Sequence, residues 1–259
     1  MPEALLETRR LCRSFGGLQA VRDVSLKVQR GAIKGVIGPN GAGKTTLFNL
    51  IAGTIAPHAG QVLFRGRDIT GFAPFAIAAM GIARTFQTTR LFGHMTVLEN
   101  VMAGRHTRTR SGFIAGMLQL PAIHREEQQS RQRALDVLED LGLVAHAGEV
   151  ASNLSFGRQR LAEFARALAT EPTLLLLDEP AAGLNIHETE ALAKIILKIR
   201  DRGITCLVVE HDMSLVMNIS DEILVLDQGQ TLAEGPPRQI QRDPDVIRIY
   251  LGDEPCSAS

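Results

Sequence analysis

The segment Gly38-Pro-Asn-Gly-Ala-Gly-Lys-Thr45 has the spacing GxxxxGK[ST], with an apolar run stopping at its first glycine and a helical pattern after its last residue. That combination cradles phosphate. Glycines let successive backbone N–H groups turn inward, and the start of the helix adds positive potential. Lys44 brings a full charge and Thr45 a hydroxyl for Mg²⁺. The candidate phosphate-binding set is therefore Gly38, Pro39, Asn40, Gly41, Ala42, Gly43, Lys44 and Thr45, with Thr46 in the first helical turn. A dinucleotide fingerprint GxGxxG fails, because the sixth position counted from Gly41 is Thr46. Farther along, Leu174-Leu-Leu-Leu-Leu-Asp-Glu179 sets two carboxylates at the carboxyl end of an apolar strand, where α/β ligand sites lie. Asp178 can hold a metal through water, and Glu179 can orient and deprotonate an attacking water, the two roles phosphoryl transfer requires. Standing alone, a strand ending in Asp-Glu-Pro is an ordinary solvated strand end. Beside a phosphate cradle it gains a use.

The elements that position these groups read as alternating strands and helices. Residues 18 to 37 begin with a short polar-apolar alternation and continue into the apolar run Ile33 to Gly38. Residues 44 to 55 have a helical pattern. Apolar strands recur at Leu174 to Leu177, Ile204 to Val209 and Ile223 to Leu226. Unbroken Leu and Val suit parallel strands buried on both faces. Between the first two, Glu188 to Arg202 carries an apolar stripe of Ala191, Leu192, Ile195, Ile196 and Ile199, with the pair Glu190 and Lys194 outside it. The stretch from about Thr88 to Asn153 lacks β-branched runs, includes a helical segment from Gln128 to Leu141 and reads as a helical lobe inserted into the α/β core.

The segment Leu154-Ser-Phe-Gly-Arg-Gln-Arg160, running into a helix, resembles the LSGGQ signature of ATP-binding cassette (ABC) ATPases. The order of the phosphate loop, Gln87, this signature, Asp178-Glu179, Gly183-Leu184-Asn185 and His211 is similar to that family's full motif series, and the resemblance covers nearly the whole chain. It implies an α/β fold: a P-loop NTPase core of the ABC ATPase type with a mostly parallel sheet, a small antiparallel β subdomain and an inserted helical subdomain. The expected divisions are 1–87 for the first part of the core, 88–153 for the helical subdomain, 154–240 for the rest of the core and 241–259 for a C-terminal segment. The cofactors implied are ATP and Mg²⁺, the latter on Thr45, Gln87 and Asp178.

Each motif has its own physical reading beside the one the resemblance implies. Ser155 and Gly157 at a helix start offer a hydroxyl and N–H groups to an anion; in the family they close over the γ-phosphate of ATP held by the opposite subunit. Ser155 could instead be a plain helix cap. The sequence departs from LSGGQ at Phe156 and Arg158. Gln87, in Arg84-Thr-Phe-Gln87, matches the loop that reaches Mg²⁺ and water while linking core and helical lobe; as an isolated glutamine it would be an ordinary polar side chain facing solvent. His211, just past the strand Ile204 to Val209, matches the switch histidine, whose nitrogen can donate to phosphate or polarise water. Asn185 stands where many members of the family have Asp in the D-loop, and with Glu188 it also forms a plausible capping pair. Phe15 matches the aromatic residue on which the adenine ring stacks, with a buried core Phe as the alternative.

Several stretches are similar to the first ATP-binding protein of bacterial high-affinity branched-chain amino-acid importers. They are Ala83 to Gln87 with Arg90-Leu-Phe92, Met95 to Asn100, Pro180 to Asn185, Val209 to Met217, and Asp243 to Arg248 followed by Tyr250-Leu-Gly252, with Ser111 to Pro121 in the helical lobe. ATPases of urea or short-amide importers and of lipopolysaccharide exporters share much of this pattern. The resemblance implies a second ABC ATPase subunit as partner in a heterodimer, or a homodimer in isolation. It also implies two transmembrane permease subunits, and a substrate-binding protein acting through them. The expected place is the cytoplasmic face of the membrane.

Composition narrows the alternatives. Among 259 residues, 28 Lys and Arg balance 28 Asp and Glu, which speaks against a general nucleic-acid binder. Hydrophobic residues at 45% and charged residues at 22% place the chain with folded globular proteins. The uncharged stretches Ile69 to Ala83 and Ser111 to Ile123 fall short of the roughly 20 apolar residues of a spanning helix. Met1 to Arg10 carries two acids and no apolar core, so no signal peptide is expected. Three scattered cysteines without CxxC fit reduced thiols. The run Arg105-His-Thr-Arg-Thr-Arg110 reads as a solvated basic face or as a contact for acidic headgroups. A DNA- or ribosome-directed ABC protein would carry two cassettes or a long coiled-coil insertion. A small-molecule kinase would leave the signature and His211 without purpose.

Overall fold

The computed structural model describes residues 4–85, 91–105 and 121–251. Gln87, the basic run beyond Arg105, most of the Ser111 to Pro121 segment and the tail from Gly252 lie outside the described residues. The chain forms two compact units, Met1–Ile77 with Leu176–Ser259, and Ala78–Leu175.

The first unit begins with a meander. Strands β1 (Ala4–Phe15) and β2 (Leu18–Gln29) pair antiparallel across the Gly16-Gly17 turn, and β4 (Ala59–Phe64) with β5 (Arg67–Asp68) completes a sheet of order β2-β1-β4-β5. The expected alternation is visible in β2: Val24, Leu26 and Val28 are buried while Asp23, Ser25 and Lys27 face solvent. The period of two puts one face on the core and one in water.

The second sheet of this unit is built from runs without alternation. β3 (Ile33–Ile37), β7 (Leu174–Asp178) and β8 (Thr205–Val209) are buried at every residue, as strands covered on both faces must be. β3 pairs parallel with β8 on one side and with β9 (Glu222–Asp227) on the other. β10 (Gln230–Gly235) closes the edge antiparallel to β9. Two backbone bonds tie the carboxyl ends of neighbouring strands: Glu210 N–H to the Val36 carbonyl at 3.4 Å and Glu179 N–H to the Val209 carbonyl at 2.9 Å. The loops leaving β3, β7 and β8 therefore start side by side, which is where this class of sheet binds ligands.

Helix α1 (Lys44–Ile51) follows the glycine loop and stops earlier than the sequence pattern suggests, with Ala52 as its cap. After the two-turn segment the apolar Ile55 and Ala56 lie beyond the helix, so apolar spacing alone overran its end. In the second unit lie α2's successor β6 (Ile82–Arg84), α3 (Val97–Gly104), α4 (Pro121–Asp140) and α5 (Phe156–Leu168), α2 itself (Pro74–Ala79) bridging the division point at residue 77. Thr96 and Glu99 form a capping box that starts α3. Asn100, fully buried, bonds the Phe92 N–H and carbonyl at 2.8 and 3.1 Å and the Thr96 carbonyl at 3.0 Å, fixing the turn before the helix. Among the described residues, no helix is long and apolar enough to cross a membrane.

Candidate active site

The phosphate loop is shaped by close backbone approaches. Gly38 has φ of 150°, and a Cβ there would lie 2.1 Å from the Leu226 carbonyl oxygen. Gly43 has φ of 100°, and its Cβ would lie 2.3 Å from the Ala20 carbonyl oxygen. Only glycine satisfies both the left-handed conformation and the contact. No side chain caps α1, and its first backbone bond is Leu47 N–H on the Gly43 carbonyl at 2.9 Å, so the N–H groups of Lys44, Thr45 and Thr46 precede the helix ladder and are open to an anion.

Lys44 is 7% exposed, and its ammonium donates to the Gly38 carbonyl at 2.6 Å and the Pro39 carbonyl at 3.0 Å. Burial pulls it below the ordinary 10.5, while the Glu179 carboxylate pushes it back up. A cavity of about 800 Å³ opens here, and Phe15, Asn40, Lys44, Thr45, Thr46 and Glu179 all line it. The cavity brings the aromatic, the loop and the acid together. Phe15 is 47% exposed rather than buried in the core, and the Arg13 guanidinium sits 4.9 Å from its ring centroid. One ring face has a cation behind it, and the ring edges the cavity.

Asp178 ends β7 and is 3% exposed. Glu179 follows with φ of 46°, an uncommon conformation for a side-chain-bearing residue. It is held by its N–H on Val209 and by its own carbonyl, which accepts from Ala182 N–H at 3.1 Å. Sparsely populated backbone conformations concentrate at sites where a side chain must be aimed. The donor set of Thr45 hydroxyl and Asp178 carboxylate, with Glu179 beside it, is all hard oxygen and few in number. That fits Mg²⁺, which keeps several waters and shares its remaining positions with phosphates.

Gly183 and Leu184 form the turn after β7, with Leu184 N–H on the Ala181 carbonyl at 3.0 Å. Asn185 then starts α6 (Ile186–Asp201) in the anticipated capping box, its side chain accepting from Glu188 N–H at 3.0 Å and Glu188 accepting from Asn185 N–H at 3.0 Å. His211 follows β8 with its side chain 61% exposed. Asp212 caps the next helix, α7 (Met213–Ile219), by accepting from Ser214 and Leu215 N–H groups. In the other unit, Ser155 starts α5 with no side-chain cap bond, which leaves its hydroxyl for another partner, and Phe156 and Arg158 are exposed beside it. The Arg160 guanidinium lies 5.5 Å from the Phe156 ring centroid.

Two residues escaped the sequence reading. Arg22 lines the cavity; its backbone N–H is fixed on the Gly229 carbonyl at 2.7 Å and its guanidinium donates to Gln230 at 3.3 Å. Nothing in an alternating edge strand marks one arginine among others. Glu210 is fully buried between the loops after β7 and β8. Its signal was a carboxylate closing a mostly apolar strand, directly before His211. Arg105, taken with the basic run, is 12% exposed at its side chain and donates to Glu171 at 3.0 Å and the Ala169 carbonyl at 3.2 Å, so it anchors helices rather than facing solvent.

Residues 21–182 match the ABC transporter family. The chain belongs to that family of ATP-binding cassettes. Residues 230–255 match a second family, described as branched-chain amino acid ATP-binding cassette transporter. The cassette is 47% identical over 254 residues to a high-affinity branched-chain amino acid transport ATP-binding protein of Salmonella typhimurium, covering 98% of this chain and 100% of that one. Its fold is similar to the crystal structure of the ADP conformation of an ATP-binding cassette of an ABC transporter, with a TM-score of 0.84, 34% identity, and 97% and 100% of the two chains covered. It is also similar, at 25% identity and a TM-score of 0.77 over 90% and 99% of the chains, to a bacterial ABC transporter cassette solved as a dimer. As an ABC ATPase it binds nucleotide and hydrolyses ATP.

Proposed function

We propose that this cassette is the ATP-hydrolysing subunit of an importer of branched-chain amino acids. The observation that carries the reading is the match over 98% of this chain to a transport protein of that named substrate class, reinforced by the separate match of residues 230–255. The cassette works on the cytoplasmic face of the membrane with two transmembrane permease subunits, a second, different ATPase subunit, and an external binding protein that supplies the cargo.

In this proposal the adenine ring stacks on Phe15, and the loop Gly38 to Thr46 wraps the phosphates with inward N–H groups. Lys44 neutralises charge on the terminal phosphates. Thr45, Asp178 and Gln87 would hold Mg²⁺, which would supply positive charge against the phosphate oxygens when bound. Glu179, aimed by its unusual backbone, accepts a proton from the attacking water, and His211 donates to the γ-phosphate side of the reaction. Ser155, Phe156, Gly157 and Arg158 close over the nucleotide of the opposite subunit, with Gly183, Leu184 and Asn185 lining the contact. ATP binding thus joins two cassettes and hydrolysis releases them, while residues 88–153 pass the movement to the permeases.

The test is to tag the Glu179→Gln chain, solubilise membranes with ATP and Mg²⁺ present, and identify what co-purifies. Two hydrophobic membrane proteins and a second ATPase, with leucine uptake lost in cells lacking this chain, are expected. Lipid-export partners, or soluble proteins alone, would overturn the assignment.

A further inference from the structure

Glu210 is the least exposed carboxylate beside the proposed hydrolytic groups, with none of its surface open to solvent. A buried carboxylate is costly unless its oxygens are bonded, and here three backbone donors converge on it. Oε1 accepts from Ala181 N–H at 2.7 Å. Oε2 accepts from His211 N–H at 3.0 Å and Asp212 N–H at 3.3 Å. Ala181 lies two residues after Glu179, on the loop leaving β7; His211 and Asp212 lie on the loop leaving β8. The same two loops are joined once more by the Glu179 N–H on the Val209 carbonyl at 2.9 Å.

The carboxylate therefore bridges the loop of the proposed base and the loop of the proposed switch histidine. Burial pushes Glu210 up from the ordinary carboxylate value, and the N–H groups of Ala181, Asp212 and His211, with the His211 ring, pull against that shift. The His211 Nδ1 stands 3.7 Å from Oε2, too far for a hydrogen bond. Glu210 thus fixes the histidine through its backbone and leaves the ring to turn. We infer that Glu210 is a positioning residue for hydrolysis: its carboxylate holds the loop after Glu179 and the loop carrying His211 at a set separation, so that the two act on one phosphate as a unit.

This rests on the reading of Glu179 and His211 given above. Glu210→Gln keeps the size but turns an NH₂ toward donors, breaking one side of the bridge, and Glu210→Asp keeps the charge on an arm too short to span both loops. Turnover of ATP by the full chain is measured for each, with binding of a fluorescent ATP analogue and thermal unfolding alongside. The expected result is a kcat lowered between about ten- and a hundred-fold, as for a misplaced catalytic group, with analogue affinity within about two-fold of the parent. In a His211→Ala background, Glu210→Gln should cost clearly less than it does in the parent, because one of the two groups it positions is gone. If Glu210→Gln does not fold, Glu210→Asp carries the same comparison. An unchanged kcat in the folded variants, or an equal loss with and without His211, overturns the inference. Glu179→Gln distinguishes the two levels: hydrolysis lost there but normal in the Glu210 variants removes only the bridge, whereas hydrolysis surviving in Glu179→Gln removes the underlying reading.

Discussion

The Lys44 ammonium bonds the Gly38 carbonyl at 2.6 Å, closing the phosphate loop upon its own first residue. The contact spans the loop and holds the charge at its centre before any phosphate oxygen competes for it. Burial already holds this ammonium below 10.5.

Lys44→Ala should weaken ATP binding by about ten- to a hundred-fold, the worth of charge-assisted hydrogen bonds to phosphate, and should abolish turnover. The pH dependence follows from the direction of the shift. Phosphate favours the charged ammonium, so binding raises the lowered pKa, and protons are taken up only at pH between the free and the bound Lys44 values. Affinity is then greatest at pH below the lowered Lys44 value and declines as pH rises through it. Calorimetric titration with ATP in buffers of differing ionisation enthalpy reads both quantities, and a proton uptake that persists unchanged in Lys44→Ala would assign it elsewhere.

Asp212 offers a stability test. Burial raises its pKa, but the Ser214 hydroxyl and the Leu215 and Ser214 N–H groups outweigh it and leave the carboxyl below the ordinary 3.8. Asp212→Ala should cost about 1 kcal/mol, as for a lost helix cap. Because the folded pKa is depressed, the charged cap's contribution is complete above 3.8 and disappears as pH falls through the folded value. Urea unfolding at neutral pH and at strongly acid pH measures the difference between parent and variant, which should shrink in acid.

Legibility in the sequence divided along a physical line. The glycine-loop turn from Gly38 to Thr45 into a helix and the placing of Asp178 and Glu179 at a strand end were readable because each motif is a short continuous segment whose local conformation is carried by its own residues. The Asn185 and Glu188 capping box was readable for the same reason. Glu210 and Arg22 were not, because their meaning comes from segments that meet only in the fold: Glu210 from Ala181, Arg22 from Gly229. The end of α1 at Ile51 was missed because apolar spacing continues past it.

Ser155→Arg should leave nucleotide binding to the separate chain intact and block ATP-driven association. The hydroxyl is exposed at a helix start without a capping bond, so the bulky cation meets the approaching partner rather than the chain's own core. Light scattering with and without ATP, in a Glu179→Gln background, is the check; full association of the Ser155→Arg chain would remove the signature from the interface.

Glu179 is the proposed base, aimed from the end of β7, by which this cassette hydrolyses ATP. The decisive measurement is single-turnover phosphate release from Mg²⁺-ATP by the parent chain and by Glu179→Gln, with nucleotide occupancy recorded in the same samples. Equal occupancy is expected, with a release rate lowered by on the order of a hundred-fold or more in the variant, the upper part of the range for a lost general base. Release at the parent rate with ATP bound would contradict it.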